Sequence, residues 1–189
     1  SMRVLSLLPA GLALCICAGA QAQTWSEWAD RENRFVVNFP GDPAKTEVPY
    51  KTAKGTSLTA RVFTAEADPK SRSAGTYSVT VVDYTPAPDE LPTAIDEASR
   101  AIRAKGVVKY DEANNVDQMA SWRLTVETPD NRLLLAEVLV SMEKRLYIVQ
   151  AITPRNVPPP AQFQASVQIL DADGIRIRYK TVGSTERVR

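Results

Sequence analysis

The sequence predicts an α+β fold, an antiparallel β-sheet of about six or more strands with two main helices packed on it. Three observations predict it. Short stretches with apolar residues at every second position recur along the chain, and strands joined by short turns pair antiparallel. Leu133 to Met142 and Leu146 to Ile152 are apolar at both parities, as central strands covered on both faces are. Asp89 to Lys105 instead carries its apolar residues at helical spacing.

The elements follow in order. Residues 1–22 read as a signal peptide, with Arg3 as the positive n-region, an apolar stretch from Val4 to Ala18, and the small-x-small site Ala20-Gln21-Ala22 before Gln23. Ser1 precedes the expected initiator Met2 and reads as a residue left by cloning. A transmembrane anchor fits less well, because the apolar run is short, contains Pro9 and ends in a cleavage site. Lipidation at Cys15 or Cys17 fits less well too, since Leu14 and Ile16, not small residues, precede them.

Residues 23–180 then read as one α+β domain. Trp25 to Trp28 is a short strand, residues 30–34 a polar turn, and Phe35 to Phe39 a strand with Phe35, Val37 and Phe39 on one face. Lys45 to Thr52 and Ser57 to Glu66 flank a hairpin turn at Ala53-Lys54-Gly55-Thr56. Thr76 to Thr85 is rich in Val, Tyr and Thr, as strands are. In the helix from Asp89 to Lys105, the residues Leu91, Ala94, Ile95, Ala98 and Ile102 form one stripe, and Gly106 ends it. Val107 to Asp111 is a short strand, and Ala120 to Thr128 points Trp122, Leu124 and Val126 inward. Glu143-Lys144 makes the tight turn between the two central strands. A second helix, Pro160 to Leu170, gathers Phe163, Val167 and Leu170, and Asp171-Ala172-Asp173-Gly174 stops it. A last strand, Ile175 to Lys180, points Ile175, Ile177 and Tyr179 inward, and residues 181–189 read as a flexible C-terminal tail.

Composition narrows the function. The 189 residues hold 23 Lys and Arg, 22 Asp and Glu, no His, and two Cys that both lie in the leader. Arg3 is the only charged residue the leader holds, so the mature chain is balanced and offers nothing for bulk binding of nucleic acid. Without His or Cys it cannot build a Ser-His-Asp triad, a Cys nucleophile or a His- or Cys-ligated metal site. No Gly-rich phosphate loop is present. No cofactor and no metal is expected.

Four groups of residues remain. Arg176, Arg178 and Lys180 share one face of the last strand, which suits either an anion or acidic partner or the protection of a sheet edge. Trp25 and Trp28 differ in parity, so one of them faces away from whatever the other packs on and is a candidate contact residue. Glu137 is the one acid in the apolar run from Leu133 to Val140, and needs a partner such as Arg123 or Arg145, unless it lines a pocket. Asp171-Ala172-Asp173-Gly174 has a calcium-loop flavour, but lacks the third ligand and the twelfth-position Glu, and reads as a turn.

Three stretches resemble a known family. Trp28 to Gly41, with a polar turn before Phe35-Val36-Val37-Asn38-Phe39-Pro40, looks like the opening of the PsbP-like α/β/α sandwich. The order of helix and strands in the middle matches, and Phe163-Gln164-Ala165-Ser166 looks like its closing helix. The strand Tyr77 to Tyr84 and the close at Gly174 to Tyr179 are similar to uncharacterised exported proteins of alphaproteobacteria. The resemblance implies that sandwich and a habit of accessory binding, and it carries no catalytic residue. The expectation is an exported protein, periplasmic or secreted, that is a non-enzymatic accessory or binding module of unknown partner. A small anion- or cation-binding protein and a carboxylate-based hydrolase are the alternatives.

Overall fold

A computed structural model describes residues 24–157, 161–179 and 187–188. The signal peptide, Lys180 and residues 181–186 and 189 of the expected tail lie outside the described residues.

Seven strands form one antiparallel sheet: β3 (Ala44–Lys51), β4 (Ser57–Ala67), β5 (Gly75–Asp83), β6 (Val107–Val116), β7 (Met119–Thr128), β8 (Arg132–Val140) and β9 (Arg145–Pro154). Their spatial order is β3-β4-β5-β9-β8-β7-β6. The chain climbs through three strands, leaves at Asp83, re-enters at the far edge and meanders back until β9 pairs with β5. The two stretches apolar at both parities are β8 and β9, near the middle, as expected.

The long excursion carries α1 (Ala94–Arg103). It buries Ala94, Ala98 and Ile102 against Leu124, Val126, Leu134, Ala136 and Val138 of β7 and β8. The expected helix from Asp89 is shorter at its start, because Pro92 lacks an N–H and disfavours α geometry at the residue before it; residues Pro88–Thr93 form a 3-10 turn instead. Gly106 does more than stop the helix. A Cβ there would lie 2.0 Å from the Glu127 carbonyl, so the chain reaches β6 only by backbone approaching backbone.

The other face is covered by a small sheet. β1 (Ser26–Asp30) and β2 (Phe35–Phe39) form a hairpin, and β10 (Gln168–Ile169) pairs with β2 beside the one-turn helix α2 (Ala161–Ala165). Phe35, Val37 and Phe39 point inward together and meet Phe63, Tyr77, Val79, Tyr147 and Phe163, all fully buried. The second main helix is therefore corrected to one turn followed by a strand. Phe163, Val167 and Leu170 are buried as their spacing suggested. Beyond Val167 the backbone bonds to β2 in place of its own fourth neighbour.

The closing strand is corrected too. Leu170 and Arg176 form a single bridge, and β11 (Arg178–Tyr179) pairs with β12 (Arg187–Val188). Ile177 is buried as expected, but Ile175 is 41% exposed because it still belongs to the turn that begins at Asp171. β6 runs five residues beyond the expected Asp111, since an edge strand tolerates its polar Glu112, Asn114 and Asn115 while β7 supplies the ladder. Among the described residues no helix is long and apolar enough to cross a membrane.

Candidate functional site

Cross-strand register assembles a polar cluster where sequence distance hides it. On the sheet face that also carries the small sheet, Glu112 of β6 stands opposite Arg123 of β7, and Arg123 stands opposite Glu137 of β8. Asn114 and Ser121 form the next pair along the β6–β7 ladder. Opposed residues share a face, so five polar side chains from three strands project together.

Glu137 is the centre of the cluster and is fully buried. Its Oε1 accepts from the Ser121 hydroxyl at 2.5 Å and from Asn114 Nδ2 at 3.0 Å. Its Oε2 accepts from Arg123 Nε at 2.7 Å. The expected pairing with Arg123 is therefore present, and Arg145 instead meets Glu143. Three donors offset the cost of burying a carboxylate.

Arg123 is held at one end and open at the other. Only its Nε is engaged among the described residues, and its side chain is 45% exposed. Beside it lies a pocket of about 70 Å³ lined by Arg123, Leu124, Thr125, Leu135, Ala136 and Gln164. Gln164 comes from α2, is buried, and donates through Nε2 to the Leu135 carbonyl at 3.1 Å. Its Oε1 is buried and meets no donor among the described residues. That bond fixes which end of the amide is which, and the acceptor end is shut off from water-sized groups. The pocket thus offers guanidinium donors and the half-buried Thr125 within room for a few waters or one small polar group. It is far below the ~300 Å³ at which drug-sized ligand sites begin.

The other expected site residues land elsewhere. Trp25 and Trp28 do not face opposite ways: both pack on the core beneath the small sheet. Trp25 precedes the first residue of β1, so strand parity does not govern it, and it meets Tyr77 edge-on at a ring separation of 4.7 Å. Trp28 lies 5.2 Å from Phe63. Arg176 forms two bonds with Asp117, at 2.9 and 2.8 Å, which tie the closing segment to the β6–β7 turn. Arg178 lies in β11, and Lys180 is outside the described residues. In the Asp171 to Gly174 turn, Asp171 Oδ1 accepts the Asp173 and Ile175 N–H groups, and the Asp173 carbonyl accepts from Arg31. These three protein donors hold the turn.

Gln164, Thr125, Ser121 and Asn114 escaped sequence reasoning. Gln164 sits beside Phe163 in a segment read as a longer helix, and the other three needed the β6–β7–β8 register, which no local pattern encodes.

No family model matches the chain, and no curated protein does. Among solved structures it is similar to cyanobacterial PsbP (CyanoP) from Synechocystis sp. PCC 6803, at 16% identity and a TM-score of 0.46, over 82% of this chain and 98% of that one. A superposition at that level does not bear on site residues or on function.

Proposed function

We propose that the protein is an exported, non-enzymatic accessory or binding module, acting in the periplasm or as a secreted protein, and that its polar pocket contacts the partner. The observation that supports this best is the state of Glu137. A general base or a nucleophile needs a free lone pair within reach of a substrate. Three donors occupy most of the Glu137 lone pairs, and the side chain is fully buried, out of reach of a substrate. Glu112, the other acid facing Arg123, accepts from the Tyr110 hydroxyl at 3.1 Å. The uncommitted groups at the pocket are instead those of recognition, the outer nitrogens of the half-exposed Arg123. Export rests on the leader from Met2 to Ala22.

Native mass spectrometry of the chain recovered without refolding from the envelope of cells that make it tests this reading. The expected species is a chain that starts at Gln23 and carries a second molecule released by activation in the gas phase. A chain that retains residues 1–22 contradicts export, and a bare chain that turns over an ester or glycoside substrate contradicts the binding role.

A further inference from the structure

We propose that a second pocket, where the β1–β2 turn meets β4, β5 and β9, binds a small zwitterion, a molecule such as a free amino acid that carries one carboxylate and one ammonium group. It shares no lining residue with the Arg123 pocket, and the binding-module reading does not depend on it.

Register brings charges of both signs to this pocket. Arg61 of β4 stands opposite Val81 of β5, and Asp83 of β5 stands opposite Arg145 of β9. Residues two apart on a strand share a face, so all three charged side chains project on the face that buries Val81 and Tyr147 beneath the small sheet. With Asn33 of the β1–β2 turn they line a cavity of about 250 Å³. That volume is below the ~300 Å³ at which drug-sized ligand sites begin, so the occupant is small. Arg145 is only 17% exposed, yet its one bond among the described residues runs from Nη1 to Glu143 at 3.5 Å, and that carboxylate already accepts from Arg34. A guanidinium has five N–H donors, so most of those on Arg145 are unmatched. Asp83 accepts the Thr85 N–H through Oδ1 at 2.9 Å and forms no ion pair among the described residues, although Arg145 is its register partner. The unpaired Arg145 nitrogens and Asp83 Oδ2 all keep surface that a water-sized group can reach.

These open groups select a ligand by charge. An anion satisfies the guanidiniums but meets Asp83 as a like charge, and a cation satisfies Asp83 but meets Arg61 and Arg145. A neutral group forms only the weaker bonds in which one partner is charged. A zwitterion sets its carboxylate on the guanidiniums and its ammonium on Asp83, and so answers both signs at once. The walls are in place before it arrives. Arg61 is held by Glu47 at 3.1 Å and by Asn33 at 3.3 Å, and Asn33 is itself buried and bonded to Asp30. The Tyr147 hydroxyl ties that turn to the sheet through the Asn33 carbonyl at 2.7 Å. Groups held before binding lose little freedom when a ligand arrives.

The test is a titration followed by NMR at the Arg61 and Arg145 Nε–H signals. The probes are glycine and 4-aminobutyrate, zwitterions of short and long charge separation, with acetate and methylammonium as single charges. Saturable shifts with at least one zwitterion in the millimolar range, and binding about tenfold weaker for each single charge, are the expected result. The tighter zwitterion assigns the ligand to α-amino acids or to longer ω-amino acids. Asp83→Asn, whose amide oxygen still accepts the Thr85 N–H, should weaken zwitterion binding about tenfold, the worth of one charged hydrogen bond, and leave acetate binding no weaker. Should that variant unfold, Thr59→Tyr, at an exposed strand position that lines the pocket, should abolish the shifts in a folded protein. Acetate binding as tightly as the zwitterions overturns the assignment in favour of a plain anion site, and methylammonium binding as tightly overturns it in favour of a cation site. No saturable shift from any probe overturns the site itself and leaves the binding-module reading standing.

Discussion

Glu137 and Arg123 form a pair whose two members differ in surroundings, and removing them should not be symmetric. Glu137 is fully buried, whereas Arg123 is 45% exposed. Arg123→Met strands a carboxylate in the sheet and should cost about 3–5 kcal/mol, as the breaking of buried pairs does. Glu137→Met frees a cation that water can reach and leaves the Ser121 and Asn114 donors unmatched, a loss of about 1–3 kcal/mol. The double variant should recover most of the larger loss, and urea unfolding of the four proteins reads that coupling. Tyr147 permits a second prediction. Its buried hydroxyl donates to the Asn33 carbonyl at 2.7 Å, and burial pushes its pKa up. A raised pKa means that the neutral phenol is favoured in the fold. The stabilisation is complete below about pH 10, where the unfolded phenol titrates, and declines as pH rises beyond it. Tyr147→Phe should cost about 1 kcal/mol at pH 7 and flatten that alkaline decline, measured by denaturant unfolding across the alkaline range. At this scale Glu137 was visible in the sequence because one acid interrupts an apolar run. Gln164 was not, because a Gln beside a buried Phe carries no mark of burial.

The elements are held together by a few polar staples over broad apolar contact. Arg103, at the end of α1, grips Asp111 of β6 through Nε at 2.7 Å and Nη2 at 2.9 Å, and Trp122 of β7 donates to the same carboxylate at 2.5 Å. The Arg103 guanidinium and the Trp122 N–H hold the Asp111 carboxyl below its ordinary range. A depressed pKa stabilises the fold above the unfolded value of about 4, and that contribution is lost as pH falls through the lower, folded value. Asp111→Asn should therefore destabilise by about 2 kcal/mol at pH 7, and the gap to the wild type should close in acid, as denaturant midpoints at descending pH would record. Gly106→Ala forces a Cβ onto the Glu127 carbonyl, so a loss of roughly 1–3 kcal/mol is expected in thermal unfolding. Strand existence and parity were readable from alternation: β2 occupies the residues expected of it, and the ends of β8 and β9 fall within two residues of theirs. The ends of α1 and α2 were not readable from periodicity alone. Pro92 displaces the first, and pairing with β2 takes over the last residues of the second.

For the whole molecule, the decisive feature is the crossover from β5 to the far edge, which brings β9 back between β5 and β8. It places the polar cluster on strands β6, β7 and β8, next to the small sheet and α2, so a pocket forms at the border between a covered and an open half of one face. Short turns announced antiparallel neighbours in the sequence, but nothing local announced that β5 pairs with β9, since the two are joined only through a helix and three strands. The site was hidden for the same reason. The most direct test of the account is site-specific photo-crosslinking in living cells, with the crosslinker at position 125 beside the pocket or at position 100 on the exposed face of α1. A discrete adduct from position 125 alone is the predicted result. Adducts of the same pattern from both positions, or none from position 125, would contradict the claim that this pocket is where the protein meets its partner.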